Sequence, residues 1–215
     1  MQKIGLLGGT FDPVHNGHLQ LGDRVLEKYP IDKILFIPAA NPPHKNGAVV
    51  CDVGHRLQML KLAIGDKHRF DLSEIEISRK KVSYTFDTLE EMKRSGGTGR
   101  LYHFIIGYDA LSEIETWYRW QDLLVVTNFI VAVRPGFSLK QIEQLLERNG
   151  FFPEEGRDDR WIGKKTGNEI LFLAGEIADI SSTEIRTRIG SKKVWADLVP
   201  PGVADYIISN QLYYK

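Results

Sequence analysis

KIGLLGGTFDPVHNGHLQLGDRVLEKYPIDKILFIPAA, residues 3–40, decides the fold. Residues 3–7 form a short apolar run that stops at Gly8-Gly9, the pattern of a buried strand. Residues 18–29 place Leu19, Leu21, Val25 and Leu26 near helical spacing, and Pro30 ends them. Residues 33–40 are a second apolar run that closes on a proline. Strand, glycine-rich loop, helix and strand make a βαβ unit, which predicts a parallel sheet with a right-handed crossover.

The alternation continues beyond it. Residues 41–50 read as a Pro- and Gly-rich loop, 53–65 as helix, 70–78 as strand and 85–94 as helix. A strand is expected at 101–107, a helix in pieces at 108–124, a strand at 129–133 and a helix at 139–149. Residues 151–168 are polar with interspersed aromatics and carry no period. A last strand at 169–173 and short helices at 182–189 and 201–210 complete the chain. The expected fold is α/β: one domain over residues 1–215, a mostly parallel Rossmann-like sheet with helices on both faces, and a small helical part from about residue 180. Ligands of such sheets bind beyond the carboxyl ends of the strands. Gly8-Gly9, Pro38-Ala39, Gly107 and Arg134-Pro135 each follow an expected strand.

Composition narrows the function. The chain has 215 residues, 42% hydrophobic and 26% charged, with 28 basic and 28 acidic side chains. A zero formal charge gives no whole-chain attraction to nucleic acid or to an anionic membrane. Cys51 is the single cysteine. It forms no internal disulfide and no cysteine metal site, which fits a reducing cytosol. The N-terminus is a poor signal peptide, and the longest apolar stretch is too short to span a bilayer. A cytoplasmic protein is expected.

GGTFDPVHNGH, residues 8–18, carries the chemistry. Paired glycines let a backbone turn tightly and approach a ligand. The dinucleotide fingerprint G-x-G-x-x-G is absent, which argues against a nicotinamide dehydrogenase. GKKT at residues 163–166 is no Walker A loop, because Asp158 stands where its leading glycine belongs. His15 and His18 lie three apart where the loop meets a helix. A metal site needs a third clustered ligand, and none is evident. A capping or hydrogen-bonded pair is the plainer alternative. A helix N-terminus beside a Gly-rich loop favours phosphate.

GGTFDPVHNGH resembles the H-x-G-H signature of the nucleotidyltransferase superfamily. Further blocks match in order: NPPHK at 41–45, SYTFDTL at 83–89, IIGYDALSEIETWYRW at 105–120, VRPG at 133–136 and ISSTEIRTRI at 180–189. Together they make the chain similar to the bacterial nicotinate-nucleotide adenylyltransferases. The first and last blocks alone also fit phosphopantetheine adenylyltransferases; the middle blocks, with Trp117, separate the two. Tyr108 departs from the small residue usual there, and residues 151–168 match no block.

The resemblance implies transfer of AMP from ATP to nicotinate mononucleotide, giving deamido-NAD and pyrophosphate, with Mg²⁺ carried on the ATP. It implies His15, His18, Lys45 and Arg186 as catalytic groups. It implies ATP contacts from Gly8, Gly9, Thr10, Phe11, His15, His18, Gly107, Asp109, Ile180, Ser182, Thr183 and Arg186. Lys45, Thr85, Trp117 and Arg134 are implied for the mononucleotide, with Trp117 stacked on the pyridine ring. Trp120 is assigned to the core. Ser182 or Thr183 is expected to cap the helix that presents Arg186; the S-x-x-E spacing of Ser181 and Glu184 offers a plain capping box instead. Alternatives are the same chemistry on nicotinamide mononucleotide or phosphopantetheine, and a nucleotide-binding regulator without turnover. No feature decides homo-oligomerisation.

Overall fold

The computed structural model describes residues 1–40, 51–79, 82–97, 99–133, 140–175 and 177–214. Strand β1 (Gln2–Gly9) leads through the glycine-rich loop to α1 (Asn16–Lys28) and β2 (Lys33–Pro38). Then follow α2 (Val53–Ile64), β3 (Phe70–Leu72), α3 (Ile75–Arg79), α4 (Thr85–Gly96) and β4 (Arg100–Gly107). Helix α5 (Tyr108–Ser112), a 3-10 turn (Ile114–Thr116) and α6 (Trp120–Val126) precede β5 (Asn128–Val133) and α7 (Lys140–Arg148). Strands β6 (Phe151–Glu154), β7 (Arg157–Gly163) and β8 (Glu169–Ala174) come next. The last elements are α8 (Ser182–Gly190), a 3-10 turn (Ala196–Leu198) and α9 (Pro201–Ser209). The fold class is α/β, and βαβ order holds at both ends of the residue 3–40 stretch. Among the described residues no helix is long and apolar enough to cross a membrane.

The chain packs as two compact units. The first comprises Met1–Leu7, Val25–Lys33 and Tyr84–Glu176. Its strands run in the order β1-β4-β5-β8-β7-β6. Four of them, β1, β4, β5 and β8, are parallel, with Leu7 opposite Ile105, Phe104 opposite Phe129 and Phe129 opposite Ile170. Their side chains are buried in near-continuous runs, as a sheet covered on both faces requires. The expected last strand, β8, is not alone. Residues 151–163, where no period was legible, form an antiparallel hairpin, β6–β7, paired to β8. The sheet is therefore mixed. The hairpin turns at Glu155-Gly156, where Gly156 has φ 77°.

The amino-terminal side of this sheet carries an ionic cluster. Buried His103 shares a 3.1 Å hydrogen bond with Glu169, and Arg160 joins Glu169 to Glu154, each at 2.9 Å. The His103 hydrogen bond holds the Glu169 carboxyl below the usual carboxylate range, helped by Arg160 and opposed by burial.

The second unit comprises Gly8–Arg24, Ile34–Ser83 and Ile177–Lys215. It contains the phosphate-loop sequence, most of α1, the β2–β3 pair, α2, α3, α8 and α9. The expected strand at 70–78 is a correction. Strand β3 pairs β2 over only Phe70–Leu72, and Ser73 N–H ends the ladder on Phe36 O at 2.9 Å. Pro38 closes β2 without an amide to offer, so residues 75–79 have no ladder to extend and coil into α3.

Candidate active site

The second unit assembles the loop from its backbone outward. Phe11 takes a left-handed conformation, φ 51°, and is buried. Its ring lies over Gly9, where a Cβ would come within 3.1 Å of it. The same ring meets His18 edge-on at 4.9 Å and Phe36 at 5.7 Å. The expected ATP contact Phe11 thus has a buried, shape-forming ring. Gly8 and Gly9 end β1.

His15 and His18 come together. Their rings stack at 3.6 Å between centroids and 25° between planes. The backbone N–H of His15 donates to His18 Nδ1 at 3.3 Å. That acceptor role fixes the His18 proton on Nε2, leaving an N–H to give away. Burial lowers the His15 pKa from 6.5 to about 4. Burial, and then the neighbouring His15, lower His18 well below 6.5. Both imidazoles are neutral at pH 7, and each has one donor. His15 Nδ1 is buried with no hydrogen-bond partner among the described residues. Gly17 between them sits in a tight space: a Cβ there would lie 3.1 Å from Ala178 O and 3.2 Å from His15 Nδ1, so those neighbours would have to shift slightly.

The ISSTEIR segment docks onto this loop. Ala178 N–H donates to Gln20 Oε1 at 2.7 Å, and the Ser182 hydroxyl donates to Pro13 O at 2.9 Å. The cap of α8 is Ser181, whose hydroxyl accepts from Glu184 N–H at 3.1 Å. Neither Ser182 nor Thr183 caps the helix, because the Ser182 hydroxyl is spent on Pro13 and Thr183 Oγ1 accepts from Arg186 at 3.2 Å. Only half of the capping box forms, since the Glu184 carboxylate turns to Arg188. Arg186 Nη1 donates to the Asp12 carbonyl at 2.6 Å and lies 3.7 Å from the Asp12 carboxylate. Ile180 and Thr10 are half-buried beside these groups in sequence.

Three residues that sequence reasoning missed hold the loop. Asp12 is fully buried, accepts the Tyr213 hydroxyl at 2.7 Å and the Cys51 N–H at 3.3 Å, and precedes a cis proline. Arg56, 1% exposed, donates to four carbonyls: Thr10 and Ala39 at 2.8 Å, Cys51 at 3.1 Å and Ala40 at 3.3 Å. It ties the loop after β1 to the loop after β2. A signal existed: Arg56 continues the stripe of Met59, Leu60, Ala63 and Ile64 on the buried face of α2. Tyr213 had none.

The first unit carries the other expected contacts. Gly107 ends β4 and caps α5, whose first turn holds the exposed Asp109. The helix cap is therefore Gly107, leaving the Asp109 carboxylate unspent on capping. Thr85 opens α4 behind Tyr84, which supplies no side-chain cap. Trp117 is not on a helix. It lies in extended conformation between the 3-10 turn and α6, its ring edge-on to Phe104 at 6.3 Å. Arg119, at φ 54°, breaks the helix, with its guanidinium 3.8 Å above Phe86. Trp120, assigned to the core, is half-exposed at the start of α6. A single turn links it to Trp117, with Trp120 N–H donating to Trp117 O at 3.2 Å across the left-handed Arg119. Lys45 and Arg134 lie outside the described residues. Among the described residues no group of three or more His, Cys, Asp or Glu side chains could hold a metal ion.

A family model described as cytidylyltransferase-like matches residues 6–188. The chain belongs to the cytidylyltransferase-like family. Within it, the chain is 38% identical over 213 residues to a probable nicotinate-nucleotide adenylyltransferase of Thermoanaerobacter sp. (strain X514), covering 99% of this chain and 95% of that one. It is 40% identical over 212 residues to another so named from Desulfitobacterium hafniense (strain Y51), covering 99% and 96%. The fold of this family member matches solved structures of Plasmodium falciparum nicotinic acid mononucleotide adenylyltransferase. The form complexed with NaAD has a TM-score of 0.75 at 22% identity, covering 99% of this chain and 98% of that one. The form complexed with APC has a TM-score of 0.74 at 21% identity, with the same coverage.

Proposed function

We propose that this protein transfers the adenylyl group of ATP to nicotinate mononucleotide, giving deamido-NAD and pyrophosphate. The observation that carries the reading is the neutral, stacked His15–His18 pair, with the His18 tautomer fixed by the His15 amide at the mouth of α1. Full-length similarity to relatives of that name supports it.

The acceptor's phosphate oxygen is anionic near neutral pH and needs no general base. It attacks the α-phosphorus of ATP in line; that P–O bond forms as the bond to the β-phosphate oxygen breaks and pyrophosphate leaves. The protein's task is positioning and charge stabilisation. His15 and His18 donate N–H groups to phosphate oxygens, with Gly8, Gly9 and Thr10 lining the backbone approach. Arg186 turns its remaining donors to the β- and γ-phosphates, beside Ser182 and Thr183. Asp109 accepts from ribose hydroxyls next to Gly107. The uncapped start of α4 at Thr85 receives the nicotinate carboxylate, and Trp117 stacks on the pyridine ring. Lys45 and Arg134 add positive charge for the phosphates. Mg²⁺ arrives as part of the nucleotide substrate, held by phosphate oxygens and water.

The test is pyrophosphate release with ATP and Mg²⁺, offering nicotinate mononucleotide, nicotinamide mononucleotide and phosphopantetheine in parallel, with a chelator control. Release with the first acceptor alone, abolished by chelation, is expected. Preference for another acceptor would overturn the substrate, and no release with any would overturn the activity.

A further inference from the structure

The buried Asp12 carboxylate takes no part in the chemistry above, yet it lies against the proposed phosphate-gripping arginine. Its two oxygens are treated unequally. Oδ1 accepts the Tyr213 hydroxyl at 2.7 Å and the Cys51 amide at 3.3 Å. Oδ2 accepts no hydrogen bond among the described residues and lies 3.7 Å from Arg186 Nη1. That nitrogen donates instead to Asp12's own carbonyl, at 2.6 Å. Arg186 thus meets a charged and a neutral acceptor on one residue: it hydrogen-bonds the neutral one and holds the charged one only as a loose ion pair at 3.7 Å.

The choice matters for the nucleotide. A guanidinium resting on a carbonyl keeps its charge for an incoming phosphate. A guanidinium closed onto a fully buried carboxylate tightens a loose ion pair into a charge-assisted hydrogen bond that phosphate would have to break. Asp12 is fully buried, so bulk water does not reach its oxygens. Its strongest donor is Tyr213, which reaches back from beyond α9 with a left-handed backbone, φ 67°. Burial and the neighbouring Asp12 push the ionisation of the Tyr213 hydroxyl far above its usual range, so it remains a donor at any physiological pH.

We propose that Tyr213 is a positioning residue for Arg186. By donating to Asp12 Oδ1 it keeps the pair between carboxylate and guanidinium loose, at 3.7 Å and short of a hydrogen bond, and Arg186 stays available to the phosphates. This rests on the phosphate role given to Arg186 above. Remove the hydroxyl, and Asp12 finds its missing donor in Arg186.

The experiment is a double-mutant cycle on the full chain, read as MgATP affinity by calorimetry with no acceptor present, and with melting temperature recorded for each variant. Tyr213→Phe should weaken MgATP binding by about fivefold or more. In an Asp12→Asn background the same change should alter binding by less than about twofold, because a neutral amide draws no ion pair. Should Asp12→Asn fail to fold, Arg186→Ala is the background, and the Tyr213 effect should vanish there too. Equal factors in both backgrounds would overturn the proposal. So would native-like MgATP binding by Tyr213→Phe with a lowered melting temperature, the signature of a tail anchor alone. Coupling without turnover by the native protein would overturn the activity proposed above and leave Tyr213 standing; turnover without coupling would do the reverse.

Discussion

With 3.6 Å between their ring centroids, His15 and His18 cannot both be imidazolium without strong repulsion, and burial already disfavours either charge. They act as oriented dipoles. A preorganised neutral donor costs no reorganisation as charge moves onto the leaving pyrophosphate. His18→Ala should therefore lower kcat by roughly 100-fold in steady-state assays. An unchanged kcat would remove His18 from the transition state. The pair also sets an acid limit on stability. In the unfolded chain His15 takes up its proton near 6.5, and in the folded protein near 4. Between those values the unfolded chain binds more protons, so acidification through that window favours unfolding. The melting temperature should fall from pH 6.5 toward 4, and His15→Gln should flatten that fall. At this scale the sequence was generous where residues lie close together. His15, His18 and Arg186 stand in motifs with a chemical reading. Asp12 and Tyr213 meet across 201 positions, and no local pattern encodes such a meeting. Arg56 was visible in principle, as a charge standing on the apolar stripe of its helix.

The elements that hold these residues fail in distinguishable ways. Gly17 sits in the first turn of α1, where alanine would ordinarily favour the helix by about 1 kcal/mol. Here the added methyl meets Ala178 O at 3.1 Å and the His15 ring at 3.2 Å. Gly17→Ala should leave the thermal midpoint nearly unchanged and lower kcat/KM by about tenfold or more, because the imidazole is displaced. A variant as active as the native protein would mean the ring has room to yield. Arg56 gives the opposite signature. Arg56→Met leaves four carbonyls without their donor and should cost about 3 kcal/mol or more in denaturant unfolding. A cost under about 1 kcal/mol would show that water replaces the guanidinium. Elements with clean periodicity were readable from the chain: β1, α1, β2, β4 and β5 fall within two residues of expectation. The errors have physical causes. Residues 75–79 alternate like a strand, but β2 ends before it can pair them. Trp117 and Trp120 share helical spacing, but the left-handed Arg119 separates them.

Across the whole molecule, similarity to the named relatives runs nearly end to end, so both units carry family sequence. The first unit contains Thr85 and Trp117, assigned to the acceptor; the second contains the histidines and Arg186, assigned to the phosphates. Trp117→Ala should accordingly raise the KM for nicotinate mononucleotide much more than that for ATP. Equal changes would make Trp117 a packing residue against Phe104. The hairpin at residues 151–163 extends the sheet past β8, and its consequence is colloidal. Strand β8 buries Ile170, Leu171, Phe172 and Leu173 in an unbroken apolar run. At the margin of a sheet such a strand would be a template, its bare amides ready to seed fibrils with the next copy. The hairpin moves the margin outward to Phe151–Glu154. There Pro153 has no amide to offer a passing strand, and Glu154 adds a charge already neutralised by Arg160. A stretch with no legible period thus keeps an aggregation-prone run of the chain in the interior.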